Sequence, residues 1–130
     1  MVILVSKIDR RSIEATNFAK GFHPAKIRAL HIAFDKQAGQ ELKKEWEEIF
    51  PKIPIEVYVD EFRETIIYIL EYFAALEKQR EGQIVAVVPM MITVNSVAEY
   101  LHNQIARKIV AAIREDNRND VKILEAPIKI

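Results

Sequence analysis

Apolar runs and helical stripes alternate along this chain, and the alternation predicts its fold. The clearest run is Ile84-Val85-Ala86-Val87-Val88. It is rich in β-branched residues and has no polar alternation, the pattern of a strand buried on both faces in a parallel sheet. Pro89 cannot donate to a ladder, so pairing is expected to fray there. Asn95 and Ser96 offer N-caps for a helix from about Val97 to Arg114. That helix carries Leu101-His102-Asn103-Gln104 on its second turn and is expected to turn Val97, Leu101, Ile105, Ile109, Ala112 and Ile113 inward.

From the start, Val2-Ile3-Leu4-Val5 opens a buried strand reaching about Ile8. Asp9-Arg10-Arg11-Ser12 is a turn in which Asp9 or Ser12 caps the next helix. Ala15, Phe18, Ala19 and Phe22 give that helix one apolar stripe, and Gly21 with His23-Pro24 ends it. Ile27 to Phe34 is the second strand and Gln37 to Phe50 the second helix, with Leu42, Trp46, Ile49 and Phe50 inside. Ile55 to Val59 is the third strand. Phe62 to about Arg80 is the third helix, where Ile67, Tyr68 and Tyr72 widen the apolar face. Glu81-Gly82-Gln83 turns back into the central run. After a polar turn, Glu115 to Asp120, Val121 to Ile130 contains Pro127 and reads as an edge strand. Five strands and four helices in strict alternation predict one α/β domain, a five-stranded parallel doubly wound sheet with helices on both faces and right-handed crossovers.

A length of 130 residues fits one such domain. Half the residues are hydrophobic and 29% are charged, the balance of a soluble globular chain. Nineteen basic residues against nineteen acidic leave no formal net charge, so no nucleic-acid partner is expected. The absence of cysteine excludes disulfides, thiolate metal ligands and cysteine nucleophiles, and agrees with a reducing compartment. No apolar stretch approaches the roughly 20 residues of a membrane helix, and no signal peptide is read at the start. Beginning and ending on strands is how an excised domain would look. His23, His31 and His102 lack metal-ligand spacing, and His31, inside an apolar strand, is expected to be a hydrogen-bonded core residue. Ser6, Ser12 and Ser96 lack the flanking glycines of a nucleophile elbow, and no carboxylate pair has acid–base spacing. Catalysis is not expected.

Leu101-His102-Asn103-Gln104-x-Ala106, followed by a basic helical tail and a closing strand with Ala126-Pro127, resembles the end of a group of bacterial and archaeal amino-acid permeases. These belong to the amino acid–polyamine–organocation superfamily, and some are potassium importers. Ile3-Leu4-Val5 to Asp9-Arg10, Leu30-His31-Ile32-Ala33-Phe34-Asp35, Glu45-Trp46-Glu47-Glu48 and Phe62-Arg63 extend the likeness over nearly the whole chain. The resemblance implies a domain that follows the last membrane helix and is similar to a universal stress protein, with strand order 3-2-1-4-5. Met90-Met91-Ile92 departs from the family, which has an acidic or amide residue, an aromatic and paired tryptophans there. Ile128 replaces the usual aromatic after proline.

In that order strands 1 and 4 flank a topological switch point, whose carboxyl-end loops line a crevice. The candidate ligand-binding residues are Ser6, Lys7, Asp9, Arg10, Arg11, Pro89, Met90, Asn95 and Ser96. Lys7, Arg10 and Arg11 supply positive charge, and amides at the helix starts could hold a phosphate. Met90, Met91 and Ile92 could pack on an adenine or a partner chain, or cap the core. The resemblance implies that cyclic di-AMP is a ligand, bound between two copies in some potassium-importing relatives. ATP is disfavoured, because Gly21, Gly39 and Gly82 are the only glycines and none follows the fourth strand. His102, Asn103 and Gln104 point about 100° apart on a helix. One of them is therefore expected to fix the helix to a neighbouring loop or a second chain, with the others solvated. Surplus apolar surface on the third helix, and at Val110 on the fourth, points to a homodimer.

The resulting expectation is a non-catalytic cytosolic regulatory and dimerisation domain of an amino-acid-permease-type transporter. It would sit at the cytoplasmic face of the cell membrane, contact the membrane-embedded part of the same chain and sense a nucleotide such as cyclic di-AMP. The alternative is a free-standing universal stress protein-like small-nucleotide-binding protein.

Overall fold

A computed structural model describes residues 1–60, 65–79, 82–91 and 96–128. The elements run β1 (Val2–Leu4), α1 (Arg10–Lys20), β2 (Arg28–Ala33), α2 (Lys36–Ile49), β3 (Ile55–Val59), α3 (Thr65–Lys78), β4 (Val85–Met91), α4 (Val97–Glu115) and β5 (Lys122–Ile128). Among the described residues the strands form one sheet in the order β3-β2-β1-β4-β5, with every neighbouring pair parallel. Parallel neighbours need a crossover, and each connection here carries a helix.

Successive strand residues go to opposite faces, so each strand feeds two cores. Ile3, Ala29 and Val87 pack with Ala15 and Ala19 of α1 and Trp46 of α2. Their neighbours Val2, Leu30 and Ala86 pack with Ile69, Tyr72 and Phe73 of α3 and Ile113 of α4. Burial on both faces is the physical reason that β1, β2 and β4 read as unbroken apolar runs. The starts of α1, α2 and α4 are fixed locally. Asp9 caps α1 in a capping box with Ser12, Asp35 caps α2 through the Ala38 amide, and Ser96 caps α4 through that of Glu99. Trp46 is fully buried, and its Nε1 donates to the Ile53 carbonyl at 2.9 Å, fixing the turn into β3.

Several expectations need correction. β1 stops at Leu4 rather than near Ile8: the Val5 amide still donates to the Leu30 carbonyl, after which Ser6 and Lys7 turn out towards solvent. β4 does not fray at Pro89 but continues to Met91, pairing Pro89 with Ala126, Met90 with Pro127 and Met91 with Ile128. The last β1–β4 pair is Ile3 with Val87, so beyond it Pro89 lacks an N–H on a side where no strand could use one. On α4 the buried residues are Asn103, Ala106, Val110 and Ile113, while Val97, Leu101 and Ile105 are 76%, 52% and 57% exposed. Val110 is therefore core, and the helix is turned relative to its apolar periodicity because Asn103 is drawn inward by bonds described below. Phe22, on α1's expected inner stripe, and Ile49 of α2 are likewise exposed, whereas Tyr72 of α3 is buried. The expected roles of Phe62, Arg63, Arg80, Glu81, Ile92, Asn95 and Ile130 fall outside the described residues.

Gly39 lets α2 lie on the sheet: a β-carbon there would stand 2.9 Å from Val57 Cγ1 and 3.1 Å from Ala33 Cβ. Alanine gains about 1 kcal/mol of helix propensity over glycine, but overpacking costs about 1–3 kcal/mol. Gly39→Ala is expected to lower the urea midpoint of unfolding followed by circular dichroism. An unchanged or raised midpoint would show that α2 has room to move.

Candidate functional site

The chain leaves β1 for α1 on one face of the sheet and leaves β4 for α4 on the other. Two adjacent strands whose exits diverge leave a gap at their carboxyl ends. A cavity of about 480 Å³ opens there. Its walls are apolar, including Leu4, Ile32, Ile66, Ile69, Ile105 and Ile109, and Ser6, Lys7, Asp9, Arg11, His31 and His102 add the polar groups.

Beyond Val87, the β1-facing side of β4 needs partners for its backbone. His102 Nε2 lies 2.8 Å from the Pro89 carbonyl, which can only accept, so Nε2 carries the proton. Asn103 Oδ1 accepts from the Met91 amide at 2.9 Å, and its Nδ2 donates to the Met91 carbonyl at 3.1 Å. The asparagine amide thus does for Met91 what a neighbouring strand would do. The expectation that one residue of the triplet fixes α4 is corrected to two, since neighbouring helix positions reach successive groups along an extended strand. Gln104 is half-buried.

The Asp9 carboxylate organises the other lip. Oδ1 accepts from the amides of Arg11 (3.0 Å) and Ser12 (3.3 Å), and Oδ2 accepts from Arg11 Nε (3.0 Å) and Nη2 (2.8 Å). Lys7 Nζ stands 3.9 Å from the same oxygen. Burial alone would raise the Asp9 carboxyl, but the Arg11 bonds, the Ser12 amide and the charges of Arg11 and Lys7 outweigh it and hold it below the usual range. The α1 amides expected to hold a phosphate are therefore already occupied by Asp9.

The remaining predicted residues separate by position. Ser6, Lys7, Asp9, Arg11 and Pro89 line the cavity. Arg10 does not, because its Nε donates to Glu14 Oε1 at 2.6 Å along the exposed face of α1. Met90 packs with Val88, Ala106 and Val110 beneath α4, and Met91 lies in the opposite core. Both methionines thus pack on the core, as one of their expected roles has it. Ser96 is an exposed cap and Asn95 lies outside the described residues.

His31 is a cavity residue that the sequence reading placed only in the core. Its Nδ1 donates to the Val5 carbonyl at 2.7 Å, and the ring lines the cavity. One polar interruption near the end of an apolar strand was the available signal. Burial pushes both His31 and His102 below the ordinary imidazole range, against the opposing pull of their carbonyl partners; at His102 the Arg11 and Lys7 charges add to the lowering and Asp9 opposes it.

The fold and crevice define a doubly wound α/β domain with a cavity of small-molecule size at its switch point. The chain belongs to the family of KimA potassium transporter C-terminal domains, whose family model matches residues 1–127. No curated protein matches it. Among the described residues no helix is long and apolar enough to cross a membrane.

Asn103→Leu would orphan the N–H and C=O of Met91, at ~1–3 kcal/mol per buried group. The expected loss is about 2–6 kcal/mol by urea unfolding, and a loss within error would refute the bracing role. The two imidazoles have lowered folded pKa values, so stability is full above the unfolded value of 6.5 and declines as pH falls below it. The urea midpoint is expected to drop between pH 7 and pH 5. His102→Gln, whose amide can still donate to Pro89, should flatten part of that drop, and a flat wild-type profile would contradict the assignment.

Proposed function

We propose that this chain is a non-catalytic regulatory domain on the cytosolic side of a potassium transporter, coupling occupancy of the crevice and pairing of two copies to transport. The observation that carries the reading is the switch-point cavity, apolar-walled and cationic at one lip, in a chain of a transporter C-terminal domain family. Such walls suit a flat heterocycle, while Lys7 and Arg11 lie where phosphates would reach the lip. The permease resemblance implies cyclic di-AMP as the nucleotide. The strand order 3-2-1-4-5 supports the likeness to a universal stress protein and, through it, to the amino acid–polyamine–organocation permeases. Membership of a transporter-domain family favours this reading over a free-standing nucleotide-binding protein.

The proposed pairing surface takes the exposed apolar residues Val97, Leu101 and Ile105 of α4, together with Ile67 and Tyr68 of α3. Ile105 also lines the cavity, so this surface and the ligand site share a wall. A ligand that prefers one arrangement of the pair shifts the transporter by its differential affinity for the two states and no more. A tenfold preference corresponds to about 1.4 kcal/mol.

Calorimetric titration of the purified chain is expected to give heat with cyclic di-AMP and little with ATP. The reverse order, or silence from both, would overturn the ligand reading. Leu101→Asp combined with Ile105→Asp, at two exposed positions, is expected to leave the circular dichroism unchanged and convert a dimer to a monomer in sedimentation. A wild-type chain that sediments as a monomer at high concentration would remove the pairing.

A further inference from the structure

We propose that Asp9 is a built-in competitor for anions at the crevice, so that a phosphate-bearing ligand binds at this lip only by taking over the contacts that Asp9 now makes. The inference rests on reading the crevice as a ligand site. A helix N-terminus and a guanidinium converging on one point are the parts from which phosphate sites are made. Here both converge on the cavity lip, and the Asp9 carboxylate fills the position with four hydrogen bonds to Arg11 and Ser12, with Lys7 beside it. From the opposite side of the cavity the facing titratable group is His102, held on Pro89.

A separate observation concerns an acceptor on the cavity wall. His31 is 7% exposed and lines it; Nδ1 is committed to the Val5 carbonyl, and among the described residues Nε2 makes no hydrogen bond. An acceptor that faces a cavity is a group a ligand N–H can satisfy.

Being part of the same chain, Asp9 competes at a high effective concentration. A free monoanion has little to offer against it, whereas a phosphoryl group carrying about −1.5 to −2 charges can displace it. The crevice would therefore discriminate by charge: uncharged ligands enter with the Asp9–Arg11 pair closed, and multiply charged ones enter by opening it.

The test titrates adenosine and inorganic pyrophosphate into the 130-residue chain, wild type and Asp9→Asn, by calorimetry. Asparagine is as good an N-cap as aspartate, so α1 is retained, and Asp9→Ser is a second capping variant should Asp9→Asn fold poorly. Pyrophosphate is expected to bind Asp9→Asn at least tenfold more tightly than wild type, adenosine to bind both within twofold, and Arg11→Ala added to Asp9→Asn to abolish the gain. Pyrophosphate affinity that is unchanged, weaker or undetectable in the folded Asp9 variants overturns the competition. Adenosine binding to none of the proteins would overturn the crevice reading instead, with the role of Asp9 still decided by pyrophosphate.

Discussion

The arrangement depends on a mismatch of strand lengths. β1 ends at Leu4, while its neighbour β4 runs on to Met91. Past the Ile3–Val87 pair, β4 has backbone groups facing a side where no strand remains. Buried peptide groups must be paired, and the sequence meets the requirement three ways. Pro89 removes one donor, His102 takes the Pro89 carbonyl, and Asn103 takes both groups of Met91. Because side chains rather than another strand close this edge, the space above β1 stays open as the cavity.

The same bonds set the orientation of α4. Asn103 can reach Met91 only if its face of the helix turns towards the sheet, and Ala106, Val110 and Ile113 follow it inward. Val97, Leu101 and Ile105 are then carried outward. An apolar strip beside the cavity is thus a consequence of how β4 is braced. The proposed ligand site and the proposed pairing surface would share α4, and this is the physical basis for coupling them in the proposed function.

Much of the fold was legible because burial on both faces leaves an unmistakable apolar run, and polar caps such as Asp9 and Ser96 stand at the helix starts. Strand order came from the family likeness, not from periodicity. The errors cluster where a tertiary partner decides. No local pattern in Val2 to Ile8 reveals that β4 stops pairing with the chain after Ile3 and β2 after Val5. The prohibition on proline in a ladder holds only where a neighbour needs the missing N–H, and at Pro89 none does. Hydrophobic periodicity put Leu101 and Ile105 inside α4 since it cannot weigh two hydrogen bonds from Asn103. Arg10 and Arg11 looked equivalent in the sequence, but adjacent helix positions diverge by about 100°. Only Arg11 turns into the lip, while Arg10 pairs with Glu14. The capping role of Asp9 was visible; that its carboxylate would stand in the phosphate position required the position of Arg11 as well.

The bracing of β4 by α4 is measured most directly by amide hydrogen exchange at Met91. Among the described residues its N–H has no strand partner on that side and is held by the Asn103 side chain. The account requires this amide to exchange slowly, with protection comparable to that of Val87 in the centre of the sheet. Exchange of Met91 at the rate of an exposed loop, with Val87 still protected, would contradict it.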